Sequence, residues 1–332
     1  MAFATGSALA QPPFALINTA NAITKKKYHP NMVDQYGKPS SLYWWLTRKS
    51  RRFGGGGSIV VPLAWSEPQA GGAYSGAMTL PVQLEDTGAP AEAQWRFYQQ
   101  TIPLPVTDAL LNEGEGRHIS LQLFQENQAM IGLLQKLSRA VFGIAPQNTS
   151  LDFDSILAAC AAASTATYLG VTLAAPWLCN GGNGPTTMAA APGSSGAALN
   201  LAGMDGAFGQ ATFGNEQPDA IFTTQLGFNS YKALLIGNQI YQTDNESQNA
   251  GFANVLFNYS PLFRDQWIPA GDMLMLNSKY VELWFKDNDY FTRDPWIMPT
   301  NQRVLYSHIY VSGDLIVLAP RMISLITTIS NA

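Results

Sequence analysis

The chain has 332 residues, of which 46% are hydrophobic and only 13% are charged, and its net charge is −4. The hydrophobic content excludes a disordered protein, and the length allows one large domain or two modest ones. Ordinary globular proteins are about 25% charged, so we expect much of this surface to contact other protein. Carbohydrate-binding and secreted β-proteins share this composition, and those classes stay open at this point.

Positive charge is concentrated at the N-terminus. Residues 1–52 contain eight Lys or Arg and one acidic residue, a balance of +7, so the other 280 residues sum to −11. Such a basic arm binds either nucleic acid or the acidic body of a neighbouring subunit. The candidate residues for this role are Lys25, Lys26, Lys27, Arg48, Lys49, Arg51 and Arg52.

Residues 1–52 have the pattern of an extended arm, because prolines interrupt them and no long amphipathic period is present. The run Leu42–Leu46 could form one helical turn, whose aromatic side chains would need a partner surface. A hinge is predicted next, at Gly54, Gly55, Gly56 and Gly57. These glycines lack the Gly-Lys-Ser/Thr ending of a phosphate-binding loop, and at least one of them should have a positive φ. A strand is predicted after them at Ser58–Leu63.

A long hairpin-like excursion is predicted from Trp65 to Leu104. Apolar residues alternate strictly from Met78 to Leu84, which predicts a strand, and the second limb begins near Trp95. A hairpin of this kind has too little core to be stable alone, so we expect it to lie on another surface. The expected contact residues are Met78, Leu80, Val82, Leu84, Trp95, Phe97 and Tyr98.

Two helices are predicted in the middle of the chain. The first runs from about Thr107 or Glu115 to Phe142, and Gly143 ends it. Its apolar stripe consists of Ile119, Leu123, Met130, Leu134, Leu137 and Val141. A coiled-coil partner is the alternative for this stripe. The second helix, rich in Ala, is predicted at Ser150–Leu169 with Asp152 or Asp154 as N-cap.

The remainder alternates between loops and strands. A strand is predicted at Val171–Leu173, and Asn180–Gly214 should be mostly loop because of its glycines and prolines. The later predictions are a strand at Ile221–Thr224, a helix at Gln225–Tyr241 capped by Thr224, a strand at Val255–Tyr259, a turn at Pro269–Asp272, strands at Met273–Leu276 and Val304–Val311, a turn at Ser312–Asp314, and strands at Leu315–Leu318 and Met322–Ile329.

No set of side chains has the spacing of a catalytic or metal site. His29, His118 and His308 lie far apart, and His308 falls in a predicted strand, where a sheet histidine is the usual interpretation. The run Asp287–Asp289 lacks the later ligand and the glycine of an EF-hand loop, so a solvated turn is expected. We therefore predict neither enzyme activity nor a cofactor or metal.

Cys160 and Cys179 are too few and too plainly spaced for a disulfide framework, and their apolar surroundings predict buried thiols. The N-terminus lacks the features of a signal peptide. Ile156–Cys179 carries no charge, but its small residues and internal Gly170 and Pro176 favour a buried helix over a membrane span. We expect a soluble protein that is made in the cytoplasm.

The order of these elements resembles the major capsid proteins of tailed bacteriophages of the Hong Kong 97 type. The resemblance lies in PDAIFTT from Pro218, the helix after it, GFANVLFNYSPLFRDQWIPAGDMLMLN from Gly251, and GDLIVLAPR from Gly313. Each motif is a generic strand-turn pattern, whereas their order and spacing extend over about a third of the chain.

The resemblance implies an α+β fold with a peripheral domain that contains a long spine helix, an axial domain, an N-terminal arm and an extended loop. The implied division is residues 1–57 for arm and glycine hinge, 58–106 for the extended loop, 107–150 for the spine helix, 151–302 for the axial domain and connections, and 303–332 for C-terminal strands returning to the core sheet.

The implied function is that of a structural subunit that self-assembles into hexamers and pentamers of an icosahedral phage head around double-stranded DNA. Its partners would be copies of itself, portal and scaffolding proteins, a cementing protein and the packaged DNA, with no membrane. It would be located in the virion after assembly in the bacterial host cytoplasm. The alternatives are a carbohydrate-active or carbohydrate-binding β-rich protein and a phage tail or baseplate subunit.

Two features bear on what the resemblance implies about assembly. Some relatives begin with a charged, helical scaffolding segment, and none precedes the arm here. Either scaffolding is a separate protein or the chain is already trimmed, and Met1 favours the first alternative. Some relatives also join subunits by an isopeptide bond from a lysine on the extended loop. Between Trp65 and Leu104 the only basic residue is Arg96, a poor nucleophile, so we expect a shell without that covalent link.

Overall fold

Two β-sheets organise the part of the chain that the computed structural model describes. That part comprises residues 40–64, 68–80, 82, 85, 87–112, 120–144, 150–160, 167–172, 178–187, 197–235 and 254–330. The helices are α1 (Ser41–Thr47), α2 (Val106–Leu111), α3 (Leu121–Phe142), α4 (Ile156–Ala159), α5 (Leu201–Gln210) and α6 (Gln225–Leu235). The strands are β1 (Arg51–Phe53), β2 (Ser58–Ala64), β3 (Gly88–Gln94), β4 (Arg96–Pro105), β5 (Thr167–Tyr168), β6 (Val171–Thr172), β7 (Thr186–Thr187), β8 (Ala220–Thr223), β9 (Asn254–Phe257), β10 (Ser260–Arg264), β11 (Met273–Leu276), β12 (Val281–Arg293), β13 (Val304–Val317) and β14 (Ser324–Thr327).

The first sheet has the order β1-β12-β13-β4, with β1 parallel to β12 and the other pairs antiparallel. The turn predicted at Ser312–Asp314 is wrong, because all three residues lie inside β13 and are buried. A Cβ at Gly313 would stand 2.4 Å from the carbonyl oxygen of Trp284, so this glycine allows close packing of strands and does not make a turn. The turn predicted at Asp287–Asp289 is likewise a register shift within β12.

The N-terminal residues that the structure describes are folded onto this sheet. Ser40 caps α1, which buries Leu42, Tyr43 and Leu46, so the predicted helical turn with a partner surface is confirmed. Strand β1 then adds to the sheet edge beside β12. The prediction of an extended arm is therefore wrong for residues 40–52, because they have both a helical cap and a strand partner.

The hairpin of the extended loop is built from different residues than predicted. Strand β2 pairs with β3 from Ser58↔Gln94 to Ala64↔Gly88. Met78, Leu80 and Val82 are exposed and belong to no strand, so the predicted limb Met78–Leu84 is wrong at its described positions; Leu84 lies outside the described residues. The described residues of this segment neither pair with another strand nor bury one face, so nothing stabilises them as a strand.

Helix α3 is the predicted spine helix, and Gly143 ends it with a φ of 71°. It begins at Leu121, and α2 is a separate helix that ends at Leu111, so the start predicted at Thr107 is wrong; Glu115 lies outside the described residues. The buried face is formed by Ala129, Leu133, Leu137, Ala140, Val141 and Phe142. Leu123, Met130 and Leu134 of the predicted stripe are exposed, so that stripe is only partly right; Ile119 lies outside the described residues. When apolar residues cover a wide arc of a helix, the sequence alone does not show which part of that arc is buried.

The segment after α3 differs from the predicted long helix. Among the described residues of 150–169, only Ile156–Ala159 is helical, and its N-cap is Ser155 instead of Asp152 or Asp154. Residues Thr167–Tyr168 are a strand paired with β6, so the prediction of helix at Ser150–Leu169 is wrong there. Cys160 and Cys179 are free and buried, as predicted. No helix within the described ranges is long and apolar enough to cross a membrane.

The second sheet has the order β7-β14-β11-β8-β10-β9. The predicted strands around Ile221, Val255 and Met273 are present, and Thr224 accepts a hydrogen bond from the Gly227 N–H at 3.3 Å as cap of α6. Helix α5 was missed, because its glycines and flanking loops favour an irregular segment.

Both faces of the central strands of the second sheet are buried, and alternate residues of β8 and β11 enter different cores. Ile221, Met273 and Met275 pack with α5 and α6. Phe222 and Leu274 pack instead into the larger core shared with the first sheet and α3. The second sheet is therefore the middle layer that joins the two halves of the fold, which is mixed α+β as predicted.

Candidate functional surfaces

A buried carboxylate fixes the N-terminal segment to the body. Asp265 accepts hydrogen bonds at Oδ2 from the hydroxyls of Ser40 (2.6 Å) and Ser41 (2.9 Å) and from the N–H of Leu42 (3.0 Å). The N–H of Trp267 donates to Oδ1 at 2.9 Å. Asp265 thus satisfies free N–H and hydroxyl donors at the start of α1, together with the Ser40 cap. Sequence reasoning missed it, since no local pattern connects Asp265 to residues more than two hundred positions earlier.

The four described residues of the predicted basic arm contact their own chain. Arg51 forms an ion pair with Glu282 (2.7 Å), and Lys49 lies 3.6 Å from Asp219. The Arg52 guanidinium lies 4.4 Å from the Tyr290 ring centre, and that of Arg48 lies 5.1 Å from Trp44. These contacts hold residues 40–53 on the body, which corrects the interpretation of a free arm for this part. Lys25, Lys26 and Lys27 lie outside the described residues.

The glycine segment links this anchored part to β2. Gly56 has a φ of 121°, which meets the expectation of a positive φ. A Cβ added at Gly54, Gly55 or Gly57 would meet nothing within 4 Å. The indole N–H of Trp95 donates to the Gly56 carbonyl oxygen at 3.0 Å, so the segment is tied to the extended-loop hairpin. The hinge role of the four glycines stays a prediction.

The predicted contact residues of the extended loop fall into two groups. Met78, Leu80, Val82 and Phe97 are exposed, whereas Trp95 is half-buried. Tyr98 is only 8% exposed; its hydroxyl donates to Asp152 and accepts from the N–H of Phe153 at 2.9 Å. Burial raises the Tyr98 pKa well above its ordinary value. Tyr98 is therefore a core residue, which corrects its assignment as a contact residue.

Helix α3 presents an outward face without a free charge. Its charged side chains are Glu126, Lys136 and Arg139. Glu126 pairs with Arg293 at 2.8 Å, Lys136 donates to Gln100 at 2.7 Å, and the Arg139 guanidinium lies 4.5 Å from the Trp267 ring centre. All three contact side chains of the body.

What remains outward on α3 includes the exposed side chains of Leu123, Met130 and Leu134. We call these three residues the α3 face. Depletion of charge around apolar side chains is typical of the centre of a protein–protein interface.

The described part of the chain contains one of the three histidines, His308. His308 lies in β13 with its Nδ1 3.1 Å from the Thr101 hydroxyl, as expected of a sheet histidine. Within the described ranges, no group of three His, Cys, Asp or Glu side chains could hold a metal ion.

Comparison with known proteins gives matches among solved structures only; no protein-family model and no curated protein matches the chain. The asymmetric unit of the cyanophage A-1(L) capsid matches with a TM-score of 0.68 and 15% identity, over 95% of this chain and 99% of that one. The capsid of a native GTA particle matches with a TM-score of 0.63 and 9% identity, over 97% and 100%. An encapsulin complex from Synechococcus elongatus matches with a TM-score of 0.60 and 10% identity, over 94% and 95%.

These matches extend over 94–97% of this chain, at identities of 9–15%. Identities this low carry information about fold alone. The chain therefore has the Hong Kong 97-type capsid fold that the order of its strands and helices predicted.

Proposed function

We propose that this chain is a structural shell subunit, the major capsid protein of a tailed phage, which assembles with copies of itself into hexamers and pentamers of an icosahedral head around double-stranded DNA. The observation that carries the proposal is the match over nearly the full length of both chains to a capsid subunit. In such a shell the same contacts are repeated between neighbours until the lattice closes.

The surfaces of the subunit support association with other copies. Residues 68–80 and 82 contain no charged side chain and expose Tyr74, Met78, Leu80 and Val82. The α3 face is apolar and free of unpaired charge as well. We propose that the extended loop of one subunit rests on the α3 face of its neighbour, because each surface lacks an apolar partner within its own described chain. Burial of apolar surface in this contact would stabilise the assembly by about 25 cal/mol per Å² removed from water.

The basic residues Arg48, Lys49, Arg51 and Arg52 are exposed and adjacent along the chain. Arg51 and Lys49 form ion pairs with Glu282 and Asp219, and the four side chains together form a basic surface. We propose that this surface, together with Lys25, Lys26 and Lys27, faces DNA or an acidic neighbour. Exposed charges of this kind act at long range and weaken as salt rises. Portal, scaffolding and cementing proteins are further proposed partners, and the virion is the proposed location.

Electron microscopy of the purified protein tests the proposal directly. In negative stain we expect closed shells of uniform size, formed without added metal or cofactor. Rings would instead indicate the tail or baseplate alternative. Monodisperse monomers that bind oligosaccharides would indicate the carbohydrate-binding alternative, and either result would contradict the capsid proposal.

Boiling such particles in detergent tests how they are held together. We expect one band near the 36.0 kDa of the single chain, because residues 65–104 contain no lysine that could form an isopeptide bond. A ladder at multiples of this mass that survives reduction would contradict non-covalent locking. It would leave the capsid proposal itself intact.

A further inference from the structure

Asp314 is a fully buried carboxyl group in the middle of the first sheet. It lies in β13 and is 0% exposed. The backbone N–H groups of Asp154 (3.1 Å) and Leu315 (2.8 Å) both donate to Oδ1. Oδ2 is buried and has no hydrogen-bond partner in the described part of the chain. Because both donors converge on Oδ1, an ionised carboxylate would leave negative charge on the buried Oδ2 without a hydrogen-bond donor.

The groups that face Asp314 give an ionised form little compensation. They are Arg96 and Tyr98 on β4, Asp152 and Asp154 in the segment before α4, Tyr168 on β5 and the uncharged Trp284 opposite on β12. Arg96, the cation of this set, is already engaged, because it donates to the Ser150 carbonyl oxygen (2.6 Å) and to Asp154 Oδ1 (3.2 Å). A second carboxylate beside Asp154 would add an unbalanced buried charge.

The direction of the pKa agrees with this geometry. Burial, and after it the charge of Asp154, raise the pKa of Asp314 to about 8, against the lowering effect of the backbone donors and Arg96. The carboxyl group of the unfolded chain has an ordinary pKa near 3.8.

The position of Asp314 gives its protonation a structural consequence. The hydrogen bond from the Asp154 N–H joins β13 to residues 150–155, the segment between α3 and α4. The same segment is held by Arg96 through Ser150 and by Tyr98 through Asp152 and Phe153. Asp314 is thus the attachment point of this segment on the central strand.

We propose that Asp314 is an acid-closed lock, whose buried neutral carboxyl group holds residues 150–155 against β13 and whose hold weakens as the pH rises. The physical basis is linkage. The closed state keeps the proton up to about pH 8, whereas in the open state the group ionises near its ordinary pKa. Each pH unit between about 4 and 8 therefore favours opening about tenfold, and above about pH 8 the effect levels off. This property belongs to the subunit and does not depend on shell formation.

Hydrogen exchange on the full chain tests the lock. We expect the protection of the Asp154 and Leu315 amides to fall about tenfold per pH unit beyond the intrinsic change, between pH 5 and about 8, and then to level off. In Asp314→Asn the pH-dependent loss should disappear, because the amide keeps the carbonyl acceptor and cannot ionise. Equal pH slopes in the two proteins would overturn the proposal.

Asp154→Asn provides a second test that keeps Asp314 itself. This substitution removes the neighbouring charge and releases Arg96, so the pKa of Asp314 should fall. The pH at which the loss of amide protection levels off should therefore be lower than in the parent protein. An unchanged levelling point would contradict the lock, even if Asp314→Asn failed to fold. Lys232→Gln on α6 is a control that removes an exposed charge far along the chain, and its profile should match the parent protein.

Discussion

Replacing Asp265 with alanine is expected to release the N-terminal segment and to destabilise the protein by about 3–5 kcal/mol. The carboxylate is buried and accepts four hydrogen bonds, from Ser40, Ser41, Leu42 and Trp267. Truncation leaves the Ser40 hydroxyl and the N–H groups of Leu42 and Trp267 without this acceptor, whereas the Ser41 hydroxyl keeps the Arg264 carbonyl oxygen at 3.1 Å. Because α1 and β1 depend on this attachment, the contact of Phe53 with Trp284, stacked at 4.0 Å, should be lost with it.

The effect is measured as a shift of the urea unfolding midpoint and as faster proteolysis within residues 48–57. Asp205→Ala is the matched control, because Asp205 is an exposed aspartate that accepts one hydrogen bond from Asn258. The control should change stability by no more than about 0.5 kcal/mol. Equal midpoints for the two variants would show that Asp265 does not anchor the segment.

Met130→Lys is expected to prevent shell assembly while it leaves the folded subunit intact. Met130 is exposed on the α3 face, so the substitution should change subunit stability by no more than about 0.5 kcal/mol. In an assembled shell the lysine would have to be buried without a partner, and the contribution of an apolar side chain, about 1.5–3 kcal/mol per contact, would be lost. Since every subunit repeats the contact, we expect the yield of closed shells to fall more than tenfold.

Sedimentation and electron microscopy measure this yield, and thermal unfolding measures the subunit. Ala233→Lys adds the same charge at an exposed position of α6 and should assemble normally. Normal shells from Met130→Lys would exclude the α3 face as an interface. Loss of assembly in both variants would assign the effect to net charge instead of to the face.

The type of most elements could be predicted because it depends on local patterns. The run Met273–Leu276 is a strand, as its continuous apolar character indicated, and both of its faces are buried. Gly143 ends α3 in the left-handed conformation that glycine adopts without cost. The order of such elements was sufficient to predict the Hong Kong 97-type capsid fold.

The predictions were wrong where one local sequence pattern is compatible with two different structures in the folded protein. The run Ser312–Asp314 has the composition of a turn, but pairing on both sides keeps it within β13. The alternating apolar residues from Met78 predicted a strand, but the strands that pair in this hairpin are β2 and β3. The local sequence indicates which secondary structure a segment favours in isolation. The strand that completes its backbone hydrogen bonds decides which secondary structure it adopts in the folded protein.

The sequence by itself thus determined the type and order of most elements, and the scarcity of charge that favours contact with other protein. Only the tertiary structure decided that Leu133 faces inward while Met130 faces outward, that Tyr98 is a core residue, and that Asp265 and Asp314 hold distant segments. The physical reason is the range of the interactions. Helical and strand periods arise between near neighbours, whereas burial and carboxylate partners depend on contacts between residues far apart in the chain.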